Sequence, residues 1–412
     1  MTGGGGQAKR TPRELAGSFE LAAVPDGFYE DPYPYFAALT EHEPVRVLRD
    51  GSLLLTGYAD VLAMYRNPVA SSDKKIEFKP KFGDSPLYEH HTTSLVFSDP
   101  PRHTRVRRLL MGAVNQRAIS RMEQGVIELV DRLLDEMADA RRVDLIESFA
   151  SRIPVEVIGN MLAIPHAERG PLRGWSLAIL GALEPVPSAP VLAQGNQAVS
   201  EFKSYLQGLV ADRRAAPLDP ELDMLSRLLL GETDGERLSE DELIQNCIFL
   251  LNAGHETTAN LIGNGIELLM RFPDEQRRLR SDPALLASAV EEMLRFESPI
   301  QLNNRRLLQD SEIGGRQYPA GTLINILMAA ANRDPAQFPD PQRFDVGRRP
   351  NRHLAFGQGD HACVGMNVAR MEGRIAVGRL LTRFGRIEPD GEPVRDRRVR
   401  FRGFTRLPIL LA

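Results

Sequence analysis

Phe356-Gly357-Gln358-Gly359-Asp360-His361-Ala362-Cys363-Val364-Gly365 is the stretch on which the reading of this chain turns. Its three glycines let backbone approach a bulky, flat group closely. Cys363 stands where this irregular loop enters a helix expected to run to about Phe384, so unpaired N–H groups and the helix dipole favour its thiolate form. His361, two residues back, would lie at the rim of that flat group. A lone cysteine is more often a small buried hydrophobe, but this context suits a thiolate bound axially to a haem iron. No second Cys or His stands at zinc spacing, so a tetrahedral zinc site is not expected. Gly357-x-Gly359-x-x-Ala362 is also a degenerate dinucleotide fingerprint, rejected because residues 348–356 do not read as a buried strand and no βαβ unit surrounds them.

Outward from this loop, the chain reads as mainly α with small β-sheets. Ser239-x-x-Glu242 is a capping box, and the pattern after it runs without proline to Phe272. That is a helix of ~48 Å at 1.5 Å per residue, long enough to cross the whole molecule. Other helices are expected from Asp99-Pro100-Pro101 through Leu110, over about 117–140 and 151–163, and from Asp282-Pro283 to Pro299. Residues 45–56 read as a hairpin turning at Asp50-Gly51, and 305–313 with 322–328 as paired strands flanking Gly314-Gly315 and Pro319-Ala320-Gly321. The segment 181–195, rich in Pro and small residues, reads as a mobile connection or lid. Residues 1–20, opening on a Gly tract, read as a disordered tail, and 21–412 as a single domain.

Composition narrows the function. With 412 residues, 42% hydrophobic, and 51 Lys+Arg against 55 Asp+Glu, the net charge of -4 argues against wholesale nucleic-acid binding while leaving room for a local basic face. Two cysteines, Cys247 and Cys363, make no disulfide framework, which points to a cytoplasmic setting. There is no signal-peptide core and no run of ~18 apolar residues, so neither export nor a membrane span is expected.

The loop matches, at every fixed position, the haem-binding signature Phe-Gly-x-Gly-x-(His/Arg)-x-Cys-x-Gly, and over roughly residues 25–412 the chain resembles the cytochrome P-450 superfamily. Three further matches occur in the family's order. Ala253-Gly254-His255-Glu256-Thr257-Thr258 falls mid-way along the long helix, and Glu292-Met293-Leu294-Arg295 is the Glu-x-x-Arg motif. Asn332-Arg333-Asp334-Pro335 with Phe338-Pro339-Asp340-Pro341-Gln342-Arg343-Phe344 matches the segment before the haem loop.

That resemblance implies a single large domain with the long central helix over haem b (iron protoporphyrin IX). It makes Cys363 the iron ligand and assigns His103, Arg107, Arg305 and His361 to the propionates, a sensible set of donors for two carboxylates. By the same resemblance Ala253, Gly254, Phe356, Gly357 and Gly365 complete the haem contacts, and Glu292, Arg295 and Arg343 form a structural triad. It also implies that Ile300, Leu302, Asn303 and Phe404 line the substrate pocket with the loop 75–98, the region 175–195 and the helix 247–257.

By residue type alone, Glu256 would be solvated and Thr257 bonded one turn back. Their apolar surroundings, Ile248 to Leu251 and Leu261-Ile262, suggest instead an acid and an alcohol passing protons inward. Gly254, by removing a side chain, would let the helix open toward bound dioxygen; the resemblance makes Thr257 steady the activated oxygen and Glu256 feed the proton network. His42, His90, His91 and His166 are expected at the surface, His255 as a plain helix position, Cys247 as a core or pocket-wall thiol, and His353 without a firm role.

The implied enzyme is a haem-thiolate monooxygenase: R–H + O2 + two electrons + two protons give R–OH + water. Its substrate is a mainly apolar small molecule. No flavin or nicotinamide site is evident, so electrons come from a ferredoxin and its NAD(P)H-dependent ferredoxin reductase, acting on a monomer. Arg102, Arg105, Arg108, Arg117, Arg121, Arg348, Arg349 and Arg352 would cluster as the ferredoxin docking face. The alternatives are a hydrogen-peroxide-driven peroxygenase, which typically replaces the acid–alcohol pair, and a non-catalytic haem sensor or carrier, which needs no proton relay.

Overall fold

Ser239 starts the helix around which the rest packs. Its Oγ accepts from the Glu242 N–H (3.2 Å) while its own N–H donates to Glu242 Oε2 (3.1 Å), a reciprocal cap leading into 32 helical residues, Glu240–Arg271. In the computed structural model, which describes residues 10–113, 116–230 and 236–412, this helix is buried along most of its length. Helices Arg152–Met161, Leu172–Gly181, Ala189–Ala215, Leu286–Phe296 and Met366–Arg383 surround it. A Cβ on Gly265 would stand 2.7 Å from Met293 Sδ. Glycine there sets how closely Leu286–Phe296 approaches.

The main sheet is a side layer of five strands in the order Val45–Val47, Leu53–Leu55, Leu323–Ile326, Asn303–Leu307, Ala70–Ser71. Only Leu53–Leu55 and Leu323–Ile326 run parallel; Val45 faces Leu55 and Asn303 faces Ile326 in antiparallel register. The expected pairing of 305–313 with 322–328 resolves into two. Asn303–Leu307 pairs with Leu323–Ile326, and Ser311–Ile313 folds back on Arg316–Tyr318 across Gly314-Gly315. The turn at the two glycines is real, but it closes a smaller hairpin nested in the first.

Other expectations are redrawn. The expected tail is structured from residue 12: Pro12–Ser18 is a helix capped by Thr11 and Glu14, and Ala16 and Phe19 are buried; the Gly tract at 1–9 lies outside the described residues. Only 182–188 of the expected connection is non-helical, because Leu172–Gly181 and Ala189–Ala215 close in on it from either side. His90 and His91, expected at the surface, are each 2% exposed. Burial depresses both, His90 to about 4, and His90 Nδ1 lies 3.0 Å from Gln245 Oε1 of the central helix.

Glu297, just past Leu286–Phe296, joins both ends of the chain. It is 1% exposed and ion-paired with Arg402, with Arg395 and Arg271 at 3.7 Å and Arg333 at 3.8 Å. Arg402 also donates to the Tyr29 and Glu30 carbonyls (3.1 and 3.0 Å), drawing in the N-terminal helices. Burial alone would raise the Glu297 carboxyl, but the arginines outweigh it and hold the group at about 2. A depressed carboxyl stabilises the fold above its ordinary value, 4.5, and that contribution fades as pH falls toward 2. Glu297→Gln leaves four cations without their shared anion, and thermal unfolding of the variant should show a loss of about 3–5 kcal/mol, with a flatter stability profile between pH 4.5 and 2 than the parent.

Candidate active site

The loop that carries Cys363 is positioned by a buried ion pair. Arg295, 0% exposed, donates Nε to Glu292 Oε2 (2.7 Å) and Nη2 to Glu292 Oε1 (2.8 Å). It also reaches forward to the carbonyls of Asn332 and Pro341 (3.0 Å each) and Arg343 (3.2 Å). Asn332 in turn accepts from the Leu354 N–H at 2.7 Å, which fixes the entry of the loop. The expected third member of the triad is corrected here. Arg343 is exposed and contributes its carbonyl; the side chain on Glu292 is that of Arg348, Nε to Oε1 at 3.1 Å. Both arginines lie in one irregular segment, and chain position alone does not say which turns inward.

Within the loop, Gly357 and Gly359 have φ of 63° and 71°. A Cβ on Gly359 would lie 2.5 Å from the Tyr65 carbonyl, so no other residue fits there without a shift. The Cys363 N–H donates to the Phe356 carbonyl (2.9 Å), and the last helix begins at Met366. Burial pushes the Cys363 thiol up, opposed by the Gly365 N–H and the charges of Arg107 and Arg370. Beneath the loop is a cluster that no sequence motif signals. Glu291 accepts from Arg370 Nε and Nη2 at 2.8 Å each and lies 3.1 Å from His353 Nε2, which gives His353 its role; against burial, these two partners hold Glu291 at about 2.

The residues expected to meet propionates do converge. His103 and His361 lie ring to ring with centroids 3.9 Å apart, and Arg107 donates to the Ala362 carbonyl at 2.8 Å. Arg305 is buried, over the Tyr65 ring. Burial, then the neighbouring His103 ring and the cations Arg305, Arg107 and Lys74, drives His361 down to about 2. His103 is 1% exposed, yet neither ring nitrogen has a partner. Buried polar atoms are normally hydrogen-bonded, so this rim of cations and an orphaned imidazole fits the carboxylates of a haem.

On the central helix, Ala253 and Thr257 lie one turn apart and half-buried, and Thr257 Oγ1 donates to the Ala253 carbonyl at 2.6 Å. At Gly254 a Cβ would meet Ile158 Cδ1 at 2.9 Å, so glycine there lets Arg152–Met161 pack closely. Glu256, 2% exposed, is ion-paired with Arg398, a partner far along the chain that the sequence pattern does not reveal. His255 is buried against Ser176 (3.3 Å) and Cys247 lies in the core.

The expected pocket wall is divided. Ile300 bridges Phe401, and Asn303 Nδ2 donates to the Tyr65 hydroxyl at 3.4 Å. Leu302 instead packs into the cluster of the N-terminal helices, and Phe404 lies 3.7 Å beneath the Arg395 guanidinium. Phe401 lies under the guanidinium of Arg398, the residue paired with Glu256.

A cysteine on a pinned loop, a cationic rim and a long helix carrying an acid and an alcohol define the class of haem-thiolate oxygenases. Comparison with known proteins agrees. The family model described as Cytochrome P450 matches residues 183–409. The chain is 38% identical over 357 residues to Vitamin D(3) 25-hydroxylase of Pseudonocardia autotrophica, covering 86% of each chain. It is 38% identical over 401 residues to the cytochrome P450 monooxygenase PikC of Streptomyces venezuelae, covering 95% of this chain and 93% of that one. Among solved structures, P450BioI in complex with an acyl carrier protein carrying hexadec-9Z-enoic acid superposes with a TM-score of 0.89 at 31% identity, covering 94% of this chain and 100% of that one. The chain belongs to the cytochrome P450 family and is a haem-thiolate monooxygenase, using haem and O2. Among the described residues, no helix is long and apolar enough to cross a membrane.

Arg348→Ala should lower the melting temperature and the haem content of the purified protein, because it strips a donor from the buried Glu292. Arg343→Ala should leave both nearly unchanged, since its contribution is a backbone carbonyl. Equal effects in the two variants would restore Arg343 to the triad.

Proposed function

We propose that residues 21–412 act as one catalytic unit that inserts one oxygen atom of O2 into a mainly apolar small molecule, with electrons from a ferredoxin and its NAD(P)H-dependent reductase. The observation that carries this reading is the meeting of the orphaned His103 with His361, Arg107 and Arg305 beside the Cys363 loop.

In this reading Cys363 binds the iron through its thiolate, whose negative charge the nearby Arg107 and Arg370 offset. His103, His361, Arg107 and Arg305 hold the propionates, and Phe356, Gly357, Gly365 and Ala253 bound the ring. Haem, when bound, supplies the iron that activates dioxygen. The Thr257 hydroxyl donates its hydrogen to the Ala253 carbonyl, so its lone pairs are turned out to accept from a water or another donor. Glu256 moves protons from the protein interior toward that hydroxyl and must part from Arg398 to do so. The relatives' range favours an apolar substrate: neighbouring structures contain myristic acid and corticosterone.

The ferredoxin would dock where the haem loop is nearest solvent. A concavity of about 520 Å3 there is lined by Arg66, Arg352 and Arg370 together with Phe356, Gly357 and Ala362. This basic patch is smaller than the sequence suggested. Arg102 and Arg105 are paired with Glu242, Arg108 with Glu236 and Arg121 with Glu221, while Arg348 is turned inward onto Glu292. Arg349 and Arg352 remain exposed.

Cys363→Ser should abolish the thiolate-type absorption of the ferrous carbon monoxide adduct. Thr257→Ala should keep haem and substrate binding while product formed per NAD(P)H falls and peroxide release rises; unchanged coupling would remove the hydroxyl from the relay. Reversing Arg66 and Arg352 to Glu should slow reduction by ferredoxin at low salt and matter less as salt screens the encounter. A rate indifferent to both places the docking site elsewhere.

A further inference from the structure

Lys74 is a buried charge that lies outside the proton relay and outside the Cys363 loop itself. Its side chain is 1% exposed and its Nζ has no hydrogen-bond partner. The carboxylate next to it, Glu77, lies at 3.7 Å, and the same oxygen accepts Arg306 Nε at 2.9 Å. The segment that places Lys74 is held firmly: the Ser72 N–H donates to Asp99 Oδ1 at 2.8 Å, and strand Ala70–Ser71 pairs with Asn303–Leu307. Burial, and then the positive charges of Arg305, Arg400 and Arg306, depress this ammonium to about 8 despite Glu77.

The neighbouring cations are met mainly by neutral groups. Arg400 donates to the carbonyls of Leu183 (3.0 Å) and Leu302 (3.0 Å), and Lys81 donates to the Glu184 carbonyl (2.7 Å). The Glu184 carboxylate accepts from the backbone N–H groups of Val399 and Arg400. Leaving aside Arg305, given to the propionates in this reading, Lys74, Lys81, Arg306 and Arg400 converge with fewer acids among them, chiefly Glu77 and Glu184. A buried ammonium whose nearest carboxylate stands 3.7 Å away and is already hydrogen-bonded to Arg306 is incompletely compensated, which is unfavourable. A group of this kind calls for an anion from outside the chain. Beside it, Phe78, Phe82, Phe97 and His91 form an aromatic wall with ring centroids 5.0–5.6 Å apart.

We infer that the substrate is a carboxylic acid with an apolar body, its carboxylate held by Lys74 with Lys81 and Arg400 and its body against Phe78, Phe82 and Phe97. This rests on the monooxygenase reading and names the substrate class for it. A haem propionate is the other carboxylate within reach of this charge, since Lys74 also acts on His361. Arg107, Arg305, His103 and His361 already supply the propionates' donors.

The test is calorimetric binding to the haem-loaded protein of two matched pairs, tetradecanoic acid with its methyl ester and 2-naphthoic acid with its methyl ester. At least one acid should bind about tenfold or more tightly than its ester, as a charge-assisted hydrogen bond to a buried group provides. Lys74→Met should erase that preference with ester affinity and haem content unchanged, and Lys74→Arg should keep it. Acids binding no better than esters in both pairs overturns the inference. So does loss of haem from Lys74→Met, which assigns the lysine to a propionate. Failure of the parent reading would show separately, as absence of the thiolate-type carbon monoxide spectrum in the unmodified protein.

Discussion

The Glu292–Arg295 pair is the constraint on which the site depends. Removing two charges from water costs several kcal/mol per ion and is offset only when every remaining lone pair and proton is matched. Here the matching is complete. Glu292 receives Arg295 twice, Arg348, Asn351 Nδ2 (3.1 Å) and the Asp345 N–H (3.1 Å), while Arg295 directs its other protons to three carbonyls of the segment 332–343. Those donors and acceptors come from stretches with no regular structure of their own. An irregular segment pinned at many points to one rigid helix becomes as fixed as a strand, and Cys363 inherits that rigidity through Asn332, Leu354 and Phe356.

Legibility in the sequence tracks the range of the physics. The central helix can be read almost to the residue because its cap, Ser239 with Glu242, is a contact between residues three apart, and because apolar residues surround it along its length. The cysteine loop can be read because Gly359 answers a local demand, a positive φ under the Tyr65 carbonyl. What cannot be read depends on which of several similar side chains turns inward. Arg343 and Arg348 are five positions apart in the same irregular stretch, and only the fold shows that Arg348 meets Glu292. Leu302 and Phe404 are apolar, as a pocket wall should be, but an extended chain alternates its faces and Leu302 falls on the side of the N-terminal cluster.

Charge burial shows the same limit more sharply. With 51 Lys and Arg the chain leaves room for a local basic face despite its net charge of -4, yet several of these arginines serve as internal ties. Arg333 stacks 3.5 Å from both Tyr33 and Phe296, and Arg402 links Glu297 to the carbonyls of residues 29 and 30. The planar guanidinium suits this use, since it presents donors in a fixed fork while its faces lie on rings. Arginines committed in this way do not contribute to a docking face, so the basic patch near the haem loop is small and local.

The C-terminal segment joins the two regions that the chemistry keeps apart. Arg398 is paired with Glu256, the acid beside Thr257, and Arg400, two residues on, lies among the cations around Lys74. Their spacing puts both guanidinium groups on one short stretch, tied to Glu184 through the N–H groups of Val399 and Arg400. One short stretch therefore sets a guanidinium against Glu256 and, two residues on, another among the cations around Lys74.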